Sequence, residues 1–398
     1  MKIAIFHNLP SGGAKRTLFE QVKGLANNHQ VDVYSLATAD SDFLDVSKYA
    51  RVISVPFQPL QLFKQPFRRL NQINRSLDII RLRSLERKLA DRIDNDKYDV
   101  VLVHPCQFTI SPALIQFLNT PVVYYSQDVN RYLYDPNIKR PYFKRQSMRA
   151  YFDRVDPLPK IYYWLMDRDD RLSRLSCDVY LTNSYFIRES SIRIYGRAPS
   201  VCYHGVDTNL FKPLTLERKY QVLSVGSVTP NKGYDFIIQS LSTIPDNQRP
   251  PLIIVANSEN LDEKLYLEQL ATNLGVDVRF TTLITDESLI HQYEESTLTV
   301  YAPIMESFGL VPLESMACGT PVVGIAEGGI RETIQHGVNG LLIDRDPVLF
   351  GEAILHLLNH DKFAQRLGTQ GRDIVVKNWN WEKAINTLER YLRIAISQ

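Results

Sequence analysis

Residues 306–323, ESFGLVPLESMACGTPVV, hold the side chains of this chain best placed to do chemistry. Two carboxylates, Glu306 and Glu314, bracket a loop with a glycine and then the first turns of a helix. Pro312 suits a first helical turn, where its missing N–H would have had no partner anyway. Beyond Ser307, the N–H groups of Phe308, Gly309 and Leu310 then point out of the helix N-terminus, a ready site for a phosphate. A carboxylate only accepts hydrogen bonds, so the natural ligands of Glu306 and Glu314 are hydroxyls. A phosphate between two hydroxyl-binding carboxylates describes a nucleotide-sugar.

A second candidate is Lys232, in Asn231-Lys232-Gly233 just before a helix. The helix macrodipole disfavours a cation there, so a bound anion would account for its place. His104 follows an apolar strand, and Gly12-Gly13 follows the first strand and opens a helix, letting backbone approach a phosphate or an acceptor. His7, His204, His291 and His336 read as structural. Three Asp-x-Asp triplets, Asp94/Asp96, Asp167/Asp169 and Asp344/Asp346, could hold a divalent ion in principle. Their helical or helix-entry settings read more simply as solvated turns. No catalytic metal is expected, because Lys232 and the helix N-terminus already supply a positive field.

These residues need elements to position them, and the chain is long enough for two domains. It has 398 residues, 44% hydrophobic and 23% charged, an ordinary composition for a soluble globular protein. Its apolar runs fall well short of the roughly 18–20 residues of a membrane span, and the opening Lys2–Phe6 run reads as a strand. Cys106, Cys177, Cys202 and Cys318 are scattered without metal-ligand spacing, as expected for reduced thiols in a cytoplasmic enzyme. Through residue 215 there are 31 Lys and Arg against 21 Asp and Glu; after it, 15 against 23. A basic half precedes an acidic one, which suggests different partners for each.

Strand-like runs at 2–6, 31–36, 99–103, 121–125 and 178–182 alternate with helical patterns near 14–28, 68–95, 111–118, 157–176 and 184–195. After a loop near 206–213 the alternation restarts, with strands near 221–226, 252–256, 277–280, 298–301, 321–324 and 340–343. Helices near 347–359, 361–376 and 382–395 close the chain. Such alternation argues for parallel sheets covered by helices on both faces. The expected fold is α/β, two Rossmann-like halves facing across a cleft. Ligands bind beyond the carboxyl ends of such strands, where Gly12-Gly13, His104, Gly226 and Glu306 all fall.

Taken in order, these motifs resemble the retaining GT-B glycosyltransferases of family 4, which take hexoses from nucleotide-sugars. The likeness runs through the glycine loop at 11–13, VLVHP at 101–105, TNSYFIRES at 182–190 and YHGVDTNLFKP at 203–213. It continues through LSVGSVTPNKG at 223–233, Glu306 and Glu314 with seven residues between them, and EGGIRETIQHGVNGLLI at 327–343. YYSQDVNRYLYD at 124–135 is similar to members that build bacterial polysaccharides and lipid-linked oligosaccharides. The resemblance implies an acceptor domain over 1–205, a donor domain over 206–380, and a helix over 381–398 returning to the first. It also implies domain closure and same-face attack, with Lys232, Glu306 and His104 at the reacting sugar. Gly12, Gly13, Gly226, Ser227, Asn231, Ser307, Phe308, Gly309, Leu310 and Glu314 would hold the donor, a GDP-sugar or UDP-sugar. One departure stands out. The position after the glycine matching Gly226 is often arginine, and here it is Ser227, with Arg131 and Arg331 as candidate replacements. A catalytically silent sugar-binding subunit is the alternative; a dehydrogenase lacks its GxGxxG fingerprint.

Residues 61–92 carry nine Lys and Arg against three acids, and 139–174 carry ten against five. Tyr142, Phe143, Tyr151, Phe152, Tyr162, Tyr163 and Trp164 are interleaved in the second stretch. A solvated charged face is one reading; a surface for anionic lipid, under a glycan or lipid-linked acceptor, is the other. No recognition motif accompanies these stretches, so nucleic acid is not an expected partner.

Overall fold

The structure is a computed structural model. It describes every residue except 65–69, 135–137, 143–155, 215 and 283–284. Phe143, Tyr151 and Phe152 of the basic aromatic stretch therefore lie outside the described residues. The chain forms two compact units. One comprises Met1–Asn137, Lys144–Tyr203 and Ala384–Gln398, and the other Ile138–Phe143 and His204–Lys383.

In the first unit, β1 (Lys2–Asn8), β2 (Gln30–Leu36), β3 (Arg51–Val55), β4 (Val100–Cys106), β5 (Val122–Ser126), β6 (Val179–Thr182) and β7 (Ser200–Val201) form a sheet. Their order is β3-β2-β1-β4-β5-β6-β7, all neighbours parallel. Side chains alternate between two apolar layers, as the period of a strand requires. Ile3, Ile5, Val33, Leu102 and Leu181 face α1 (Gly13–Ala26) and the last helix, through Leu18, Val22, Ile385, Leu388 and Leu392. Ala4, Phe6, Val101, Val103 and Tyr124 face α2 (Asn71–Asn95), through Leu82, Leu89 and Ile93. With both faces covered, the central strands can be apolar throughout, which is why they were legible as runs.

Two strands and one helix depart from expectation. β3 is an edge strand, mostly exposed, with Arg51 paired to Asp32 on β2 at 2.8 Å, so it carries no apolar run. β7 is two residues long. The helix expected over 111–118 is only a 3-10 turn at Ala113–Gln116. Ser111 turns inward to Tyr124 and Asp170 instead of continuing a helix, and Glu86 of α2 accepts the Leu114 N–H at 3.1 Å. Beyond α3 (Arg131–Tyr134), helix α4 (Pro157–Ser176) carries a fully buried ion pair, Arg174 Nε to Asp170 Oδ1 at 2.8 Å. The same guanidinium donates to Ser126 Oγ and to the Asp128 carbonyl, which holds the loop leaving β5. Helix α5 (Tyr185–Tyr195) is capped by Ser184.

The second unit follows the expected alternation closely. Its strands are β8 (Lys219–Val225), β9 (Leu252–Ala256), β10 (Val278–Thr282), β11 (Ser296–Tyr301), β12 (Val322–Ile325) and β13 (Leu341–Ile343), in the order β10-β9-β8-β11-β12-β13. Between and after them run α6 (Tyr234–Ser242), α7 (Leu261–Leu274), α8 (Asp286–Glu295), α9 (Leu310–Ala317), α10 (Ile330–Thr333), α11 (Pro347–Asn359) and α12 (Asp361–Asn378), while the last helix, α13 (Trp381–Ser397), belongs from Ala384 onward to the first unit. Strand order reverses between β1 and β4 in one unit and between β8 and β11 in the other. At such switch points the loops leave the sheet in opposite directions and open a crevice for ligand. Among the described residues, no helix is long and apolar enough to cross a membrane.

Candidate active site

The carboxyl ends of β8 and β11 flank the switch point of the second unit, and both leading sequence candidates lie there. After β8, the chain turns at Gly226, whose carbonyl accepts from Tyr234 Oη at 2.8 Å. Pro230–Lys232 then forms one 3-10 turn, ended by Gly233 in the left-handed region at φ 69°. A methyl group on Gly233 would stand 2.1 Å from the Ala302 carbonyl oxygen, so only glycine lets this turn lie against the end of β11. The Ile304 N–H donates to the Asn231 carbonyl at 2.8 Å, joining the two loops. Ser227 Oγ, Thr229 Oγ1 and Asn231 Oδ1 form a short polar chain beside them, with separations of 3.2 and 2.6 Å.

Glu306 sits on the loop after β11. Its Oε2 lies 2.7 Å from Lys232 Nζ, both side chains being about four-fifths buried at 17% and 19% exposure. Gly328 and Gly329 pack directly on this loop. A methyl group on Gly328 would meet the Glu306 carbonyl oxygen at 2.4 Å, and the Gly329 N–H donates to that oxygen at 2.8 Å. Arg345 clamps the same loop from behind: it bridges Glu327 with two 2.7 Å bonds and donates to the Ala302 and Pro303 carbonyls. Burial pushes the Tyr301 hydroxyl well above its usual range, and the neighbouring Glu306 charge adds to that rise.

From Glu306 the loop runs through Ser307 to Phe308, buried against His204 and Trp379 with ring separations of 5.1 and 5.7 Å. Gly309 caps α9 and Leu310 begins it, so the N–H groups of this first turn open toward the same loop. His204 is held neutral: burial pushes its imidazole down to about 3. Glu314 is buried on α9, with Oε2 accepting from Tyr293 Oη at 3.0 Å. The second unit therefore gathers Lys232, Glu306, Gly226, Ser227, Asn231, Ser307, Phe308, Gly309, Leu310 and Glu314 on two adjoining loops and one helix start.

Gly12, Gly13 and His104 belong to the first unit, at the carboxyl edge of its own switch point. Gly12 caps α1 and Gly13 begins it. His104 lies inside β4, which continues to Cys106 rather than ending at residue 103, and it is fully buried with its ring 5.6 Å from Tyr125. Its neighbour His7 is held neutral, by burial first and by the nearby Lys15 ammonium next. Of the two candidate replacements for the missing arginine, Arg331 donates to the Gly328 carbonyl at 3.2 Å, behind the Glu306 loop. Arg131 is paired with Asp128 at 2.6 Å in the first unit.

The Asp-x-Asp triplets are occupied with structure. Asp94 accepts from the Asn119 and Thr120 backbone, Asp96 from Tyr34, Asp169 from Arg83 and Arg168, and Asp346 caps α11. Among the described residues, no group of three or more His, Cys, Asp or Glu side chains is placed to hold a metal ion. The residues that sequence reasoning missed are supports: Arg345, Tyr301 and Tyr234. Glu327, Gly328 and Gly329 lay inside a motif already noted, whereas Arg345 is a charge in an ordinary loop and carried no signal.

Chemically, the site offers one ammonium, a helix N-terminus and a carboxylate within a single loop cluster. An arriving anion would take the ammonium and release Glu306 toward hydroxyls. Comparison with known proteins places the family. Residues 11–210 match the model of Glycosyltransferase Family 4, and residues 206–374 match that of Glycosyl transferases group 1. The D-inositol 3-phosphate glycosyltransferase of Frankia alni is 33% identical over 215 residues, 48% of this chain and 52% of that protein. The chain thus spans about half the length of the curated relatives it matches. Among solved structures, sucrose-phosphate synthase from Thermosynechococcus elongatus superposes with a TM-score of 0.77 at 20% identity, over 100% of both chains. Anabaena HepE in complex with UDP and glucose gives 0.74 at 20%, over 99% of both. By its sequence models and its fold, the chain belongs to the family 4 glycosyltransferases, with their two-domain GT-B architecture.

Proposed function

We propose that this chain transfers a hexose from a nucleoside-diphosphate sugar to an acceptor hydroxyl, with retention of anomeric configuration. The Lys232–Glu306 pair at 2.7 Å, where β8 and β11 part, carries the reading. On donor binding, Lys232 exchanges its carboxylate for the diphosphate, and Glu306 accepts hydroxyls of the sugar. The bond from the anomeric carbon to the phosphate oxygen breaks, and a bond to the acceptor oxygen forms on the same face. The acceptor proton passes to the departing phosphate oxygen, giving a glycoside and a nucleoside diphosphate. Lys232 and the N–H groups at Phe308–Leu310 stabilise the charge that grows on the leaving group. Glu314 accepts from a ribose hydroxyl. Gly12 and Gly13 let backbone approach the donor, and His104 is assigned to the reacting sugar.

UDP and glucose bound in HepE support a UDP-sugar donor here, a GDP-sugar being the other candidate, and the name of the Frankia relative supports glycosyl transfer. The product belongs to polysaccharide, glycolipid or lipid-linked oligosaccharide synthesis. The exposed apolar side chains on α2 and α4, among them Ile80 and Trp164, support work at an anionic membrane surface, with cations alongside. A silent partner subunit is disfavoured because the ammonium–carboxylate pair is intact.

The test is release of nucleoside diphosphate from a panel of UDP- and GDP-sugars, with and without chelator. Transfer is expected to persist in chelator, and Lys232→Ala should lower it by roughly 100- to 1,000-fold, as for loss of one preorganised donor. Turnover that vanishes in chelator and returns with magnesium or manganese would overturn the ammonium's role, as would half-activity in the variant.

A further inference from the structure

We propose that Arg140 is a positioning residue for Lys232, fixing the turn that presents the ammonium to the diphosphate; this rests on the donor-site reading above. Residues Ile138–Phe143 come from the chain between β5 and α4, yet they group with the second unit. Arg140 is 8% exposed and uses its whole guanidinium. Nε reaches both Glu263 oxygens at 3.1 and 3.0 Å, Nη2 reaches Glu263 Oε1 at 2.9 Å, and Nη1 reaches Asp235 Oδ2 at 2.8 Å. Its plane also lies 5.2 Å from the centre of the Tyr266 ring. The remaining bond is the informative one, from Nη2 to the Pro230 carbonyl at 3.2 Å.

That carbonyl belongs to the turn bearing Lys232, since the Gly233 N–H also bonds to it at 3.4 Å. On one side the turn is held by β11, through Ile304 on the Asn231 carbonyl and Gly233 against Ala302. On the other side its described side-chain hold is Arg140. The partners of Arg140 explain why the arginine stays. Asp235 and Glu263 stand in the first turns of α6 and α7, where helix dipoles favour negative charge. Tyr142 donates to Glu263 as well. A guanidinium spans two carboxylates and a carbonyl in one rigid plane, which a lysine point charge cannot reproduce. Arg140 thus acts on the backbone of the turn rather than on the donor.

Lysine at position 140 keeps a charge beside Glu263 and loses the bond to Pro230, which separates positioning from folding. The probes are UDP and GDP, whichever raises the wild-type melting temperature more, against the corresponding monophosphate, measured by calorimetric titration. Arg140→Lys should weaken diphosphate binding about tenfold and change monophosphate binding less than twofold. In the Lys232→Ala background the same substitution should cost nothing more, because coupled residues are not additive. Equal losses for both nucleotides, additive losses, or no loss would overturn the proposal. If Arg140→Lys does not fold, Asp235→Asn loosens the same guanidinium with Glu263 still paired. It must then weaken diphosphate binding selectively, by about threefold, or the proposal fails. If Lys232→Ala binds the diphosphate like wild type, or neither nucleotide binds, the donor-site reading itself falls and takes this proposal with it. A Lys232 effect without an Arg140 effect removes the positioning role alone.

Discussion

A carboxylate that has left water needs a cation, a proton or hydrogen-bond donors such as Tyr293 beside Glu314, and this chain shows each outcome. Glu306 finds Lys232, and Glu263 finds Arg140. Glu86, fully buried on α2, takes the proton: burial pushes its carboxyl up to about 8, against the pull of the Leu114 and Ala113 N–H groups. Its folded value lies above the unfolded one, so the associated stability is fully present below about pH 4.5 and is lost as pH rises toward 8. Glu86→Gln is neutral throughout and keeps an acceptor for the Leu114 N–H. It should therefore stabilise by on the order of 2–4 kcal/mol at pH 8 and little at pH 4.5. Melting curves across that range check this; a difference that does not vary with pH would refute it. At this scale the sequence marked Lys232 and Glu306 separately. It held no sign that they pair, because 74 residues separate them and only the sheet order brings their loops together.

Elements were legible where a strand is buried on both faces and illegible where it is an edge. All six strands of the second unit stand near their expected places, whereas β3 hid because an edge strand mixes charge with exposed valine. The last helix was expected, from the resemblance, to return to the first domain, and Ala384–Gln398 groups with the first unit. Packing shows which side chains hold it there: Ile385, Leu388 and Leu392 complete the core facing α1, with Gly24 giving Ile385 room. Each such side chain contributes about 1.5–3 kcal/mol by burial. Together the three approach the whole stability of a domain, about 5–15 kcal/mol. Deleting Ala384–Gln398 should therefore unfold the first unit and spare the second. Scanning calorimetry would show one transition lost; two unchanged transitions would contradict the assignment.

On the scale of the whole molecule, charge is divided unequally, with the basic excess in the first 215 residues. If the cations near Ile80 and Trp164 meet anionic lipid, each well-placed one contributes about 1 kcal/mol. The protein should sediment with vesicles containing phosphatidylglycerol at low salt and be released as salt rises, since screening shortens to about 10 Å at 0.1 M. Equal binding to neutral vesicles, or none at low salt, would dismiss the surface. The sequence by itself determined the α/β class, the alternation of two sheets, the family, and which side chains could meet a phosphate or a hydroxyl. These are local matters, set by period, propensity and motif spacing. Only the tertiary structure decided that Lys232 is paired, that His104 is buried inside a strand, and that Arg140 stands behind Pro230. Those facts depend on which distant loops the strand order makes neighbours, and no local pattern encodes a neighbour dozens of residues away.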